Sequence, residues 1–161
     1  MKDLYQQVLQ SFTKLPPHLY VRTAWNGAWT IAGVFDLNKD TIDKRDWMLG
    51  EYKIAEAPTA DALASWKLYQ LPHCCGICVS CNAWVHPDWR GRGNGKLLNQ
   101  LRQQIARSMS YSLLMCTDVE TNAAQRGVLR SNGWKDLHTF VNSRTNNTVI
   151  ISVIDLKKEE V

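Results

Sequence analysis

No stretch of the sequence stays apolar long enough to cross a membrane as a helix. The longest apolar runs, such as Ile31–Phe35 and Val149–Ile154, fall far short of the roughly 20 residues a span requires. Nor does Met1-Lys2-Asp3-Leu4-Tyr5 lead into the apolar core of a secretory leader; an amphipathic stretch follows it. Five cysteines without an export signal fit free thiols in a reducing compartment, so a cytoplasmic protein is expected. Acidic residues are scarce in one region. Between Arg90 and Arg130 only Asp118 and Glu120 oppose seven cations (Arg90, Arg92, Lys96, Arg102, Arg107, Arg126 and Arg130), which points to an anion-binding stretch. Over the whole chain the excess is mild, +4 with a pI near 8.8. The arginine–aromatic interleaving of nucleic-acid surfaces is missing, which argues against such a partner. There is no internal repeat and no low-complexity block. A length of 161 residues with 45% apolar and 21% charged content fits one globular domain, with a charged tail at 157–161.

Periodicity gives the organisation. Residues 3–13 read as a short helix, stopped by Pro16-Pro17. Leu19–Trp25 and Ala28–Phe35 read as strands joined by Asn26-Gly27, a hairpin signal because both turn residues tolerate positive φ. Residues 40–70 read as mostly helical, interrupted at Pro58, with helix formers from Asp61 onwards. Ile77–Val85 is strand-like, Asn94–Ser108 carries Leu97, Leu98, Leu101 and Ile105 at helical spacing, and Tyr111–Thr117 reads as a buried strand. Strand, helix, strand in this order implies a right-handed crossover between parallel strands. A second helix over about 122–131 is stopped by Asn132-Gly133, and Leu137–Asn142 with Thr148–Leu156 forms a closing hairpin. The expected class is α/β with a mixed sheet.

Between the strand ending at Val85 and the helix beginning at Asn94, glycines alternate at 91, 93 and 95. Without Cβ atoms the backbone N–H groups are open to a ligand, and the positive end of the following helix favours phosphate. Arg90, Arg92 and Lys96 add charge. The spacing fits neither of two common phosphate loops. Five residues before Gly95-Lys96 stands Arg90 rather than Gly, and Leu97 rather than Ser or Thr follows the lysine. The dinucleotide pattern counted from Gly91 needs Gly where Lys96 stands.

Val85-His86-Pro87-Asp88-Trp89-Arg90-Gly91-Arg92-Gly93-Asn94-Gly95-Lys96-Leu97-Leu98 resembles the acetyl-CoA signature of the GNAT superfamily of N-acetyltransferases. Its core, Arg/Gln-x-x-Gly-x-Gly/Ala, is met by Arg90, Gly93 and Gly95. Asn122 through Asn132-Gly133-Trp134 resembles the second signature, an Asn, a helix, then Gly-Phe/Trp. The resemblance covers roughly residues 77–156. It implies a single acyltransferase domain over 1–156, with 1–70 a variable acceptor-side half and 77–156 an acyl-CoA-binding half. The implied sheet is mixed and mostly antiparallel, with a central parallel pair splayed around the cofactor and helices on both faces.

The resemblance further implies acetyl-CoA as co-substrate and no metal. The backbone of Ala83, Trp84 and Val85 would bond the pantetheine amides. Amides from Arg90, Gly91, Arg92, Gly93, Asn94, Gly95 and Lys96 would hold the pyrophosphate, and Asn122 would complete the cofactor site. An acceptor amine of a small molecule or protein would attack the thioester directly, with no membrane partner and with a homodimer compatible. Many members carry a Tyr seven residues after the Asn as general acid; Leu129 stands there. The form Asn-x-x-x-x-x-Val-Leu-x-x-Asn-Gly-Trp is similar to the branch containing the ribosomal-protein N-terminal acetyltransferases. A water or Ser131 would then protonate the leaving thiolate, and Asp118 and Glu120 are the candidate bases, each also readable as a helix N-terminal acid. His86 and His73 are weaker candidates. The alternative is an acyl-CoA-binding module without catalysis, because the strand before the loop also lacks the Glu that many relatives carry.

Cys75, Cys78 and Cys81 recur at metal-like spacing, with His73 nearby. Placed on the strand, Cys75 and Cys78 point to opposite faces and Cys75 and Cys81 lie roughly 20 Å apart, so inert thiols are expected. Trp29, Trp66 and Trp84 read as core. Trp25, Trp47 and Trp89 read as core or as pocket lining, and Trp134 as packing at the helix end.

Overall fold

The computed structural model describes residues 19–25, 30–36 and 63–157. The expected helix at 3–13, the Asn26-Gly27 turn, the expected helical stretch up to residue 62, Trp29 and Trp47 lie outside them. The residues gather into two compact units, one holding the chain up to Tyr69 together with Asn82–Arg90, the other Gln70–Cys81 with Gly91 onwards.

In the first unit, strands β1 (Leu19–Trp25) and β2 (Thr30–Asp36) form the expected antiparallel pair. Residues 64–70 do not continue a helix. They form strand β3 (Ala64–Gln70), antiparallel to β2 with Val34↔Ala64, Ala32↔Trp66 and Thr30↔Leu68 side by side. All six of these side chains are fully buried. The helix formers Ala62, Leu63 and Ala64 mislead locally. A cross-strand partner for every second residue outweighs a propensity difference of a few tenths of a kcal/mol per residue. Trp66 is core as expected.

Strand β4 (Ile77–Val85) contributes its first five residues to the second unit and its last four to the first. The change falls at Asn82, whose φ of 51° is left-handed, a torsion that asparagine tolerates better than most residues. A turn of 3-10 helix (Pro87–Trp89) follows.

In the second unit the order across the sheet is β4, β5 (Leu113–Val119), β7 (Thr148–Asp155), β6 (Lys135–Val141). β4 and β5 are parallel and the remaining pairs antiparallel, as the strand–helix–strand order requires. Helix α1 (Asn94–Ser108) and helix α2 (Ala123–Ser131) lie against the same face of this sheet. Arg102 of α1 bonds Ser80, Arg126 of α2 bonds Ser152, and the register puts both serines on that face. Leu98, Leu101 and Ile105 of α1, Leu114 of β5 and Leu129 of α2 are buried between helices and sheet, each worth roughly 1.5–3 kcal/mol relative to exposure. No helix among the described residues is long and apolar enough to cross a membrane.

One ion pair fastens α2. Arg126, 4% exposed, donates to the Asp136 carboxylate at 2.5 Å and to Ser152 Oγ at 3.3 Å, and Ser152 Oγ donates in turn to Asp136 at 3.1 Å. The Arg126 bond, followed by smaller contributions, holds the Asp136 carboxyl below the usual carboxylate range. A carboxyl whose folded pKa is depressed stabilises the fold above its unfolded pKa, and that stabilisation disappears as pH falls through the folded value. Thermal unfolding followed from pH 7 to 2 should therefore show a falling midpoint in the acid range. Asp136→Asn should start lower at pH 7 and lose less on acidification.

Candidate functional site

The glycine loop lies where a phosphate would meet bare amides. Gly91 and Gly93 adopt φ of 71° and 77°, torsions that favour glycine, and a Cβ built on either meets no atom within 4 Å. Gly93 is the N-cap of α1 and offers no side-chain cap; its carbonyl accepts from Lys96 and Leu97. Among the described residues, the amides of Gly91, Arg92, Gly93 and Gly95 have no partner within the chain. These unpartnered donors sit at the positive end of a 15-residue helix, an arrangement suited to a diphosphate. Gly95 has a different task. A Cβ there would stand 3.2 Å from Val128 Cγ2, so this glycine lets α1 approach α2.

Not every residue read as part of the loop is free to contribute. The Arg90 amide donates to Pro87 O at 3.2 Å and its Nε to Val85 O at 2.8 Å. Arg90 therefore shapes the end of β4 and occupies the Val85 carbonyl that the sequence reading gave to pantetheine. Ala83 is exposed; Trp84, read as core, is half-buried and meets the His86 ring edge-on at 5.7 Å. His86 Nδ1 accepts from the Asp88 amide, a capping role rather than a catalytic one.

The seven-cation stretch is also less open than its sequence suggests. Arg102 and Arg126 are buried, and Arg107 is half-buried with its Nε on Leu156 O. Arg92 and Lys96 remain exposed beside the loop. The signal for the buried pair was present: Arg102 falls in step with Leu98, Leu101 and Ile105, and Arg126 with Leu129.

The candidate catalytic residues separate. Asp118, at the end of β5, accepts at Oδ1 from the Val119 amide and from Asn122 Nδ2 at 3.2 Å, while Oδ2 is buried without a partner. Burial raises the Asp118 pKa against the opposing hydrogen bonds from Val119 and Asn122 and the charges of Arg126 and Arg102. Asn122 Oδ1 caps α2 by accepting from the Gln125 amide, so its side chain holds the helix start and Asp118 together. Glu120 is exposed, and its amide donates to Thr148 O. Ser131 lies at the far end of α2, donating to Val128 O at 3.0 Å. It lines an open depression of about 580 Å³ that also carries Lys96, Arg107 and Lys135. Leu129, where the resemblance would put a tyrosine, is 1% exposed and belongs to the core.

Cys74 and Cys75 lie in the turn between β3 and β4, not on β4, which begins at Ile77. The register assumed for Cys75 from the sequence is thus corrected. Cys78 and Cys116 are buried, and Cys116 has its thiol pushed up to about 11 by burial.

No family model and no curated protein sequence matches the chain. Solved structures do. A GNAT family acetyltransferase from Elizabethkingia anophelis with acetyl-CoA bound is similar over 87% of this chain and 99% of its own, with a TM-score of 0.63 and 9% identity. The spermidine N-acetyltransferase of Vibrio cholerae in complex with CoA and spermine is similar over 82% of this chain and 68% of its own, with a TM-score of 0.60 and 12% identity. At these identities the likeness is one of fold, and the fold is that of the GNAT acetyltransferases.

Proposed function

We propose that the chain is an acyl-CoA-dependent N-acetyltransferase that passes an acetyl group from acetyl-CoA to a primary amine. The observation that carries this reading is the set of unengaged amides at Gly91, Arg92, Gly93 and Gly95, at a helix N-terminus with open space over Gly91 and Gly93. The residues fit the cofactor. Those amides would take the diphosphate, with Arg92 and Lys96 supplying charge. Acetyl-CoA supplies an activated acyl group whose thiolate leaves readily.

The amine nitrogen attacks the thioester carbonyl, the C–S bond breaks, and the amine gives up one proton. Asp118 is our choice of acceptor for that proton, because burial makes its carboxylate a stronger base than an exposed one. Glu120 is the exposed alternative. The leaving thiolate takes a proton from water, since Leu129 has none to give and Ser131 is committed to Val128 O. The pattern from Asn122 to Trp134 is similar to that of the ribosomal-protein N-terminal acetyltransferases, which makes a protein N-terminus one acceptor class. Small polyamines are another, and a lysine side chain a third.

The buried Leu129 also favours a second reading, a module that binds acyl-CoA without turning it over. Calorimetry with coenzyme A, then thiol release from acetyl-CoA across peptides with free N-termini, polyamines and lysine peptides, decides between them. We expect saturable binding and release with at least one acceptor class. Binding without release for any amine would leave the module, and absence of binding would end both readings.

A further inference from the structure

β4 and β5 run parallel but pair over a short stretch, Ile77↔Leu113, Cys78↔Leu114 and Val79↔Met115. The next step along the two strands brings Ser80 and Cys116, and no pair joins them among the described residues. At this level α1 sends Arg102 into the sheet. Its side chain is 2% exposed, Nη1 donates to Ser80 Oγ at 3.3 Å, and its guanidinium carbon lies 4.8 Å from the Trp134 ring centre. Trp134 is itself fixed, donating from Nε1 to Asn99 Oδ1 at 2.9 Å.

Arg102 is an expensive way to fill this space. Arg126, the other buried arginine of the unit, has the Asp136 carboxylate, whereas no carboxylate pairs with Arg102 among the described residues and its Nε has no partner. Burial lowers its pKa, and the charges of Cys116 and Asp118 on β5 oppose that shift. A methionine or leucine would pack beside Leu98, Leu101 and Ile105 without the desolvation of a cation. The side chain does something an apolar residue could not. It ties Ser80 to α1 at the first position where β4 no longer pairs with β5, and it braces that tie against an aromatic face.

We propose that Arg102 is a positioning residue that keeps Ser80 of β4 fastened to α1 and unpaired with β5, so that the thioester arm of acyl-CoA finds unpaired backbone there to lie against. This rests on the acyl-CoA reading of the glycine loop but concerns a different part of the ligand. The loop would hold the diphosphate; Arg102 would act on the affinity that the pantetheine arm adds.

The two parts are separable by ligand. Adenosine 3′,5′-bisphosphate carries a 5′-phosphate for the loop and has no pantetheine arm; coenzyme A carries both. In the wild-type chain we expect coenzyme A to bind more tightly. In Arg102→Met the affinity for the bisphosphate should hold, while that for coenzyme A falls about tenfold. Arg102→Lys, which keeps a donor for Ser80 Oγ, should recover coenzyme A affinity to within roughly threefold of wild type. A purely structural role would lower both affinities together or move the melting temperature alone, and either result overturns the proposal, as does a variant with both affinities unchanged. If Arg102→Met fails to fold by circular dichroism, Ser80→Ala decides, since it removes the tie and leaves the arginine. An unaltered ratio of the two affinities there overturns the proposal, and a reduced ratio supports it. Wild-type chain that binds neither ligand would remove the acyl-CoA reading itself, and this inference with it.

Discussion

Replacing Gly93 by glutamate removes coenzyme A binding and leaves the chain folded. Gly93 has φ of 77°, and the space a Cβ would enter is open. The Cβ of a glutamate there meets no atom within 4 Å, and the backbone strain of a left-handed torsion costs about 1–2 kcal/mol. Its carboxylate, however, sits at the N-terminus of α1 beside the unengaged amides of Gly91, Arg92 and Gly95. It can satisfy those donors itself, and it repels a diphosphate. Loss of a few charge-assisted hydrogen bonds with added repulsion amounts to about 100-fold or more in Kd, or roughly 2.7 kcal/mol. Coenzyme A at about 100 times its wild-type Kd should stabilise the wild-type chain by about 2.7 kcal/mol and the variant hardly at all, which a thermal melt with and without ligand reads directly. Gly93→Ala is the control. It carries the strain without the charge and should keep most of the affinity. Equal loss in both variants would mean that backbone shape rather than anion binding matters here. Unchanged affinity in Gly93→Glu would mean that the loop does not hold the diphosphate at all.

The loop could be found from sequence because its physics is local. Three glycines between a strand and a helix need no distant residue to explain them, and the bounds read for β4 and α1, Ile77–Val85 and Asn94–Ser108, are those observed. The parallel pairing of β4 with β5 followed from connection order alone. What sequence hid depended on partners far along the chain. Ala64–Gln70 is a strand because Ala32 and Val34 stand beside it, thirty residues upstream. The charge count around the loop was misread for the same reason. Arg126 looked like part of an anion-binding surface until Asp136 and Ser152 were found around it. Arg102 looked alike until it was found facing the sheet, although its helical spacing with Leu98 and Ile105 already placed it on the inner side of α1. Cys75 shows a different limit: its metal-like spacing with Cys78 and Cys81 counted it onto a strand that begins only at Ile77, whereas it lies in the turn before. Asp118 and Glu120 were named for their position at a strand end. Their difference, one partly buried, bonded to Asn122 and with an unpartnered oxygen, the other exposed, depends on surroundings that no local pattern records.

Trp134→Ala should be the most damaging single truncation in the second unit. The indole is 5% exposed, bonds Asn99 through its N–H, and presents its face to the Arg102 guanidinium. Truncation empties a site the size of an aromatic ring, which costs about 3–5 kcal/mol on its own. It also takes from a buried cation one of the groups that make its burial tolerable. Against a total stability of about 5–15 kcal/mol that is a large share, so the urea midpoint of the variant should fall steeply. Trp134→Phe separates the two contributions. It keeps an aromatic face for Arg102 and most of the volume but gives up the N–H. Asn99 Oδ1 is not orphaned by that loss, because Gln103 Nε2 also donates to it at 2.8 Å. The cost of Trp134→Phe should then be about 1–2 kcal/mol. If instead phenylalanine destabilises as much as alanine, the Asn99 hydrogen bond, rather than the aromatic surface beside Arg102, is what joins α1 to the start of β6.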